Sequence, residues 1–195
     1  MDYSILVNKE NFLDATYQIN NLVSVGKVFK SSINGFIDED ILLEENAAKS
    51  FNEMIMDANK INSNVIVIPD SGYRSIQEQE KVMKYYINLE GIENAKKRVA
   101  IPGTSEHHTG LAIDVAIFLN GVYKDDVTEE EPVIKYLHDN CYKYGFILRY
   151  PKGKEKITGY NYEPWHFRYV GIDLAKYLFD NNLTLDEYYN NKRKK

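Results

Sequence analysis

Leu111-Ala112-Ile113-Asp114-Val115-Ala116-Ile117-Phe118-Leu119-Asn120-Gly121-Val122-Tyr123 is the stretch on which the architecture turns. Leu111, Ile113, Val115 and Ile117 alternate with Ala112, Asp114 and Ala116, the period of two that marks a β-strand. One face is bulky and directed at a core. The other carries an acid flanked by two alanines, which leaves space beside the carboxylate. An acid inside so apolar a run needs a partner. Asn120-Gly121 is a hairpin-turn signal, so the chain returns through Val122 and Tyr123.

Working outward, Ser105-Glu106-His107-His108-Thr109-Gly110 lies just upstream. Gly110 suits a close backbone approach before the strand, and His107 falls in the loop leading in. Far downstream the chain reads Glu163-Pro164-Trp165-His166. Together these segments offer two imidazoles, a carboxylate that can bind metal and a carboxylate that can stay free. That is the inventory of a catalytic zinc centre with three protein ligands and an open fourth position. We assign His107, Asp114 and His166 to the metal, with one Zn2+ per chain. Glu163, three residues before His166, is the base that moves protons. Taken singly, each residue has a structural reading: a lone histidine is more often hydrogen-bonded scaffold than ligand. Jointly the four fit one site. His108 and His138 have no such context and read as structural or surface residues.

The remaining elements surround this strand. Residues 1 to 43 read as irregular with short strands. Residues 44 to 61 put Ala47, Phe51, Met54, Ile55 and Ala58 on one helical face. Val65 to Pro69 reads as a buried strand, Ser75 to about Leu89 as a helix, and Asn94 to Val99 as a shorter one. Pro102-Gly103 breaks the chain before the histidine segment. Thr128 with Glu131 forms a capping box ahead of a helix that reaches about Tyr144, with Pro132 near its start. Phe146 to Tyr150 and Tyr162 to Tyr169 read as strands, and Gly171 to Asn181 as a helix. Thr184 with Glu187 caps the last helix. The fold class is α+β: one small antiparallel sheet surrounded by helices in a single domain over 1–195.

Composition fits one enzyme domain. The chain has 195 residues and a net charge of -5, which argues against a general nucleic-acid binder. The single cysteine, Cys141, excludes an internal disulfide framework and reads as a buried helix residue rather than a nucleophile. The 16 tyrosines read mostly as core periphery. Lys192-Arg193-Lys194-Lys195 reads as a frayed basic tail. The N-terminus has no apolar run suited to a signal or a transmembrane anchor, so the chain reads as cytoplasmic if Met1 is its natural start, and as exported or anchored otherwise. The loops Lys124–Glu131 and Lys152–Thr158 are polar and close in sequence to site residues. They read either as lids or as solvated surface.

Ser105, His107, Gly110, Ala112 and Asp114 match the S-x-H-x-x-G-x-A-x-D signature of zinc D,D-peptidases of the VanX/VanY type, and Glu163 to His166 match the E-x-W-H of that family. Ser71-Gly72-Tyr73-Arg74-Ser75 resembles its S/D-G-Y-R-S/T segment. The resemblance spans about residues 45–190. It implies a D,D-peptidase/hedgehog-like fold and hydrolysis of D-Ala-D-Ala or D-Ala-terminated peptidoglycan precursors, as in glycopeptide (vancomycin) resistance, closest to the bifunctional VanXY type. It further implies that Arg74 stabilises the oxyanion, and that Gln79, Ser105 and Tyr150 contact the terminal carboxylate or the peptide. Trp165 could line the pocket. Two other readings stand beside this one: an L,D-carboxypeptidase trimming tetrapeptides, and a non-catalytic zinc module that binds wall peptides. The implied partner is a small D-Ala-containing peptide. The residues say nothing of oligomeric state.

Overall fold

The computed structural model describes residues 2–14, 16–19, 21–32 and 35–193, and the backbone alone for 27–32 and 35–39. The strand chosen as the starting point is β4, Ala112–Leu119, fourth in chain order and the spine of the main sheet. On one edge it pairs antiparallel with β3, Val65–Ser71. Its other edge is shared. β5, Val122–Lys124, takes the end near the turn, and β7, His166–Tyr169, takes the beginning. β6, Phe146–Leu148, pairs with β7 and completes the order β3-β4-β7-β6. The Asn120-Gly121 turn is as expected, with φ of 51° and 80° at its two central residues.

Leu111, Ile113, Val115 and Ile117 are all buried. They meet α1, Glu45–Ala58, which contributes Ala47, Ala48, Phe51, Met54 and Ala58 to the same core. Ile55 packs at its margin. Each of the larger apolar side chains among these contributes about 1.5–3 kcal/mol on leaving water. α4, Pro132–Asn140, closes the core with Val133, Ile134 and Leu137. Between these lie α2, Ile76–Glu90, and α3, Ile92–Arg98. The short α5, Glu155–Thr158, precedes β7, and α6, Ile172–Asp180, and α7, Leu185–Arg193, follow it. This is the expected α+β arrangement.

Several expectations need correction. Residues 22–32 and 35–44 form a long antiparallel pair, β1 (Leu22–Ser32) with β2 (Gly35–Glu44), rather than short strands. β3 is buried on one face only: Val65 and Val67 are covered, whereas Ile66 is 52% exposed. The Thr128–Glu131 pair does bond, with the Thr128 N–H donating to Glu131 Oε2 at 2.8 Å, but Glu131 itself is the cap of α4. That helix ends at Asn140 and tightens into a 3₁₀ turn over Cys141–Tyr144. Tyr162 to Trp165 lies outside β7. α7 runs through Lys192 and Arg193, so these are helical. Lys194 and Lys195 of the expected tail, like Met1, lie outside the described residues. Ser75–Glu78 and Thr184–Glu187 bond as capping boxes.

Candidate active site

β4 and β7 bring two of the three expected ligands together by register, since Asp114 lies opposite His166. The third comes from the 3₁₀ turn Glu106–Thr109 just before β4. This turn ends at Gly110 with φ 69°, a left-handed conformation that glycine adopts at little cost. A Cβ on Gly110 would also lie 3.0 Å from Leu22. His107, Asp114 and His166 thereby place one ligand atom each within 4.8 Å of one another. His107 Nε2 is 3.3 Å from Asp114 Oδ2, and His166 Nδ1 is 2.8 Å from Asp114 Oδ1. The two imidazoles meet edge to face at 5.0 Å.

The donor set fits a divalent metal. His107 Nδ1 lies 2.7 Å from the Gly72 carbonyl, which can only accept, so the Nδ1–H donates and the Nε2 lone pair is left for the cluster. Gly72 must be glycine: a Cβ there would come within 2.3 Å of the Leu42 carbonyl oxygen. His166 Nε2 is buried without a hydrogen-bond partner among the described residues, and the His107 Nε2 lone pair faces another acceptor, Asp114 Oδ2, at 3.3 Å. The electrostatics agree. Burial holds the His107 imidazole down at about 4, against the pull of Asp114, so it is a neutral donor. Burial also acts to lower His166, but Asp114 outweighs it and drives the imidazole up to about 10. The carboxylates of this cluster thus favour positive charge beside them.

Glu163 is buried, and its backbone N–H is held by the Tyr150 carbonyl at 3.1 Å. Its Oε2 stands 3.8 Å from His166 Nδ1, near the cluster yet outside the ligand set. Burial, with Asp114 and Glu106 adding to it and His166 opposing, lifts its carboxyl to about 7. A group so placed exchanges protons near neutrality. His138 Nε2 meets the Pro164 carbonyl at 2.8 Å and so steadies the segment that carries Glu163.

Arg74 follows β3 and is held from two sides. Nη1 donates to Gln79 Oε1 at 2.9 Å and Nη2 to Ser71 Oγ at 2.8 Å. Its backbone N–H donates to the His107 carbonyl, and its carbonyl accepts from His108 Nδ1 at 2.6 Å. His108 Nε2 accepts from the Gly103 N–H. Gln79 is buried, and its Nε2 donates to the Ala100 carbonyl at 2.7 Å. Both ends of this amide, expected to face substrate, are engaged within the protein. Ser105, Tyr150 and Trp165 line the same cleft, of about 1180 Å³. The Tyr150 ring packs against the His166 imidazole at 5.0 Å.

The sequence model of the VanY family, D-alanyl-D-alanine carboxypeptidase, matches residues 40–172. The chain belongs to this family. It is accordingly an enzyme, a hydrolase of the carboxypeptidase type. The putative carboxypeptidase YodJ of Bacillus subtilis is 41% identical over 189 residues, covering 97% of this chain and 67% of that protein. The solved LdcB LD-carboxypeptidase superposes with a TM-score of 0.79 at 40% identity, over 95% of this chain and 84% of that one. A mutant of the vancomycin-resistance D,D-pentapeptidase VanY, solved in complex with Zn(II), gives a TM-score of 0.73 at 32% identity, over 97% and 99%. The chain spans about two thirds of the length of the curated relatives YodJ and the Enterococcus faecalis D-alanyl-D-alanine carboxypeptidase.

Four charged residues were not singled out from the sequence: Glu106, Arg149, Arg168 and Asp186. All are buried, directly behind His166. The two arginines had a signal in Phe146-Ile147-Leu148-Arg149 and His166-Phe167-Arg168-Tyr169, where an arginine ends or interrupts an apolar run. The two loops that read either as lids or as solvated surface differ in placement. Asp125 and Asp126 line the cleft. The 152–158 segment instead forms α5, and Lys154 pairs with Glu187 of α7 at 3.0 Å. Among the described residues no helix is long and apolar enough to cross a membrane.

Proposed function

We propose that the chain is a zinc-dependent D,D-carboxypeptidase, with a catalytic core over about residues 45–190, that releases D-alanine from D-Ala-D-Ala-terminated peptidoglycan peptides. The observation that carries this reading is the His107–Asp114–His166 cluster with a free, buried Glu163 beside it. His107, Asp114 and His166 would hold the zinc, which would supply a Lewis acid and make water in the site more acidic. Glu163 takes a proton from the attacking water and returns it to the leaving amine as the C–N bond breaks. Arg74 faces the charge that develops on the scissile carbonyl oxygen, and its two fixed hydrogen bonds keep it aimed. Gln79 acts by holding Arg74. Ser105, Tyr150 and Trp165 form the wall against which the peptide lies.

The match of residues 40–172 to the D-alanyl-D-alanine carboxypeptidase family favours a longer peptide over free D-Ala-D-Ala. A second reading, L,D-carboxypeptidase action on tetrapeptides, is supported by the 40% identity to LdcB. D-alanine release should be measured from pentapeptide, tetrapeptide and D-Ala-D-Ala, each with a chelator and with zinc restored. Chelator-sensitive release from pentapeptide alone is the expected result. Release from tetrapeptide alone would replace the D,D reading with the L,D one. Release from none, by a zinc-loaded folded protein, would leave only a wall-peptide binding module.

A further inference from the structure

Behind His166 the chain buries four charges that the proposed chemistry does not use. Glu106 is 1% exposed. Its Oε1 accepts from Arg149 Nε at 2.7 Å and from Arg168 Nη1 at 2.9 Å. Arg149 Nη1 donates to Asp186 Oδ2 at 2.6 Å. Arg168 Nη2 donates to the carbonyls of Tyr3 and Ile5, and Asn8 Nδ2 donates to Asp186 Oδ1 at 2.8 Å. Two arginines and two carboxylates make a network of zero net charge, clamped by the N-terminal segment and α7. Within it Glu106 cannot turn, because Oε1 is claimed twice.

The other oxygen is unclaimed. Glu106 Oε2 and His166 Nε2 are both buried, both lack a hydrogen-bond partner among the described residues, and lie 3.6 Å apart. The far side of the ring, Nδ1, faces Asp114 and the cluster. We infer that Glu106 is the positioning residue of His166: its Oε2 accepts the Nε2–H, which keeps the proton off Nδ1 and leaves that lone pair free for a metal. The inference rests on the metal reading of the site. A neutral imidazole has one proton to place, and a wrong placement here would remove a ligand. A carboxylate behind a ligating histidine is the ordinary device for that choice, and losing it weakens metal binding about 10–100-fold. Here the carboxylate is itself fixed by two guanidinium groups, so the ends of the chain brace the metal site from behind.

Glu106→Gln tests this, since the amide keeps the shape but offers either an N–H or a weaker acceptor to Nε2. Zinc affinity is measured by competition with a chromophoric chelator. Long-range proton–nitrogen NMR on zinc-loaded protein reports which His166 nitrogen carries hydrogen. Wild type should show Nδ1 coordinated and Nε2 protonated, and Glu106→Gln should bind zinc about 10–100-fold more weakly while still unfolding cooperatively. Unchanged affinity and an unchanged His166 spectrum in the variant would overturn the inference. If the variant does not fold, the wild-type spectrum still decides, because coordination through Nε2 would refute it. A wild-type protein that binds no zinc at all would instead reject the metal centre itself.

Discussion

Two clusters of charge stand back to back across the His166 ring, and they are built from the same kinds of residue. The cluster behind it, Glu106, Arg149, Arg168 and Asp186, is dry and electrically neutral. The one in front, His107, Asp114, His166 and Glu163, opens onto the cleft and is short of positive charge. Burial is nearly as complete in front as behind, so burial alone does not separate scaffold from site. What separates them is valence. Behind, donors and acceptors close on one another, apart from the single oxygen aimed at His166. In front, the His107 Nε2 lone pair faces Asp114 Oδ2 with no hydrogen between them, and Asp114 outweighs burial to push His166 up toward protonation. Unspent capacity in a buried polar group is the mark of a place where something else binds.

The contrast can be broken from either side. Glu163→Gln should lower turnover by about 10²–10⁴-fold with zinc affinity unchanged, measured as D-alanine release beside a chelator competition. Parallel loss of zinc would show that Glu163 is a ligand and not the base. Arg149→Met strikes the rear cluster: it leaves Glu106 with Arg168 alone and takes the charge partner from buried Asp186. It should cost about 3–5 kcal/mol of unfolding free energy in a urea titration. Arg74→Met should reduce kcat/KM by about 10²–10³-fold with little change in stability, as expected for a donor aimed at developing charge.

A smaller effect distinguishes the clusters by pH. Burial acts to raise the Glu106 carboxyl, but Arg149 and Arg168 overcome it and hold the group well below its ordinary range. The unfolded carboxyl titrates near 4.3. The stability Glu106 contributes is therefore fully present above that pH and lost as the pH falls below it. The stability gap between wild type and Glu106→Gln, followed by thermal unfolding from pH 6 to 3, should narrow below about pH 4. A constant gap would mean that the carboxylate charge contributes nothing. The smallest effect is an absence: Cys141 is buried and its thiol is pushed up to about 12, so alkylation at pH 8 should proceed only after unfolding.

Much of this was legible in the residues because it is local or carried by composition. The alternation of Leu111 to Ile117 marked β4 and its core face, and Asn120-Gly121 marked its turn. The imidazole–carboxylate inventory pointed to a metal, and the structure brings His107, Asp114 and His166 within reach of one ion. The long β1–β2 pair was not legible, since residues 22–44 lack a clean period and their pairing depends on each other rather than on either strand alone. Nor was the fate of Gln79, whose amide is consumed by Arg74 and Ala100, a carbonyl 21 positions away.

The sequence by itself determined the strand at the centre, the residue types of the site and the family, because periodicity and chemical identity are properties of the chain read in order. Only the tertiary structure decided which nitrogen of His166 faces Asp114, that Glu163 stands outside the His107–Asp114–His166 cluster, and that Arg149 and Arg168 are sealed behind His166 instead of lying on the surface. Those outcomes depend on which groups meet across 37 to 165 positions of chain, as Arg149 meets Asp186 and Arg168 meets Tyr3. A buried charge is tolerated only where the fold delivers its partner.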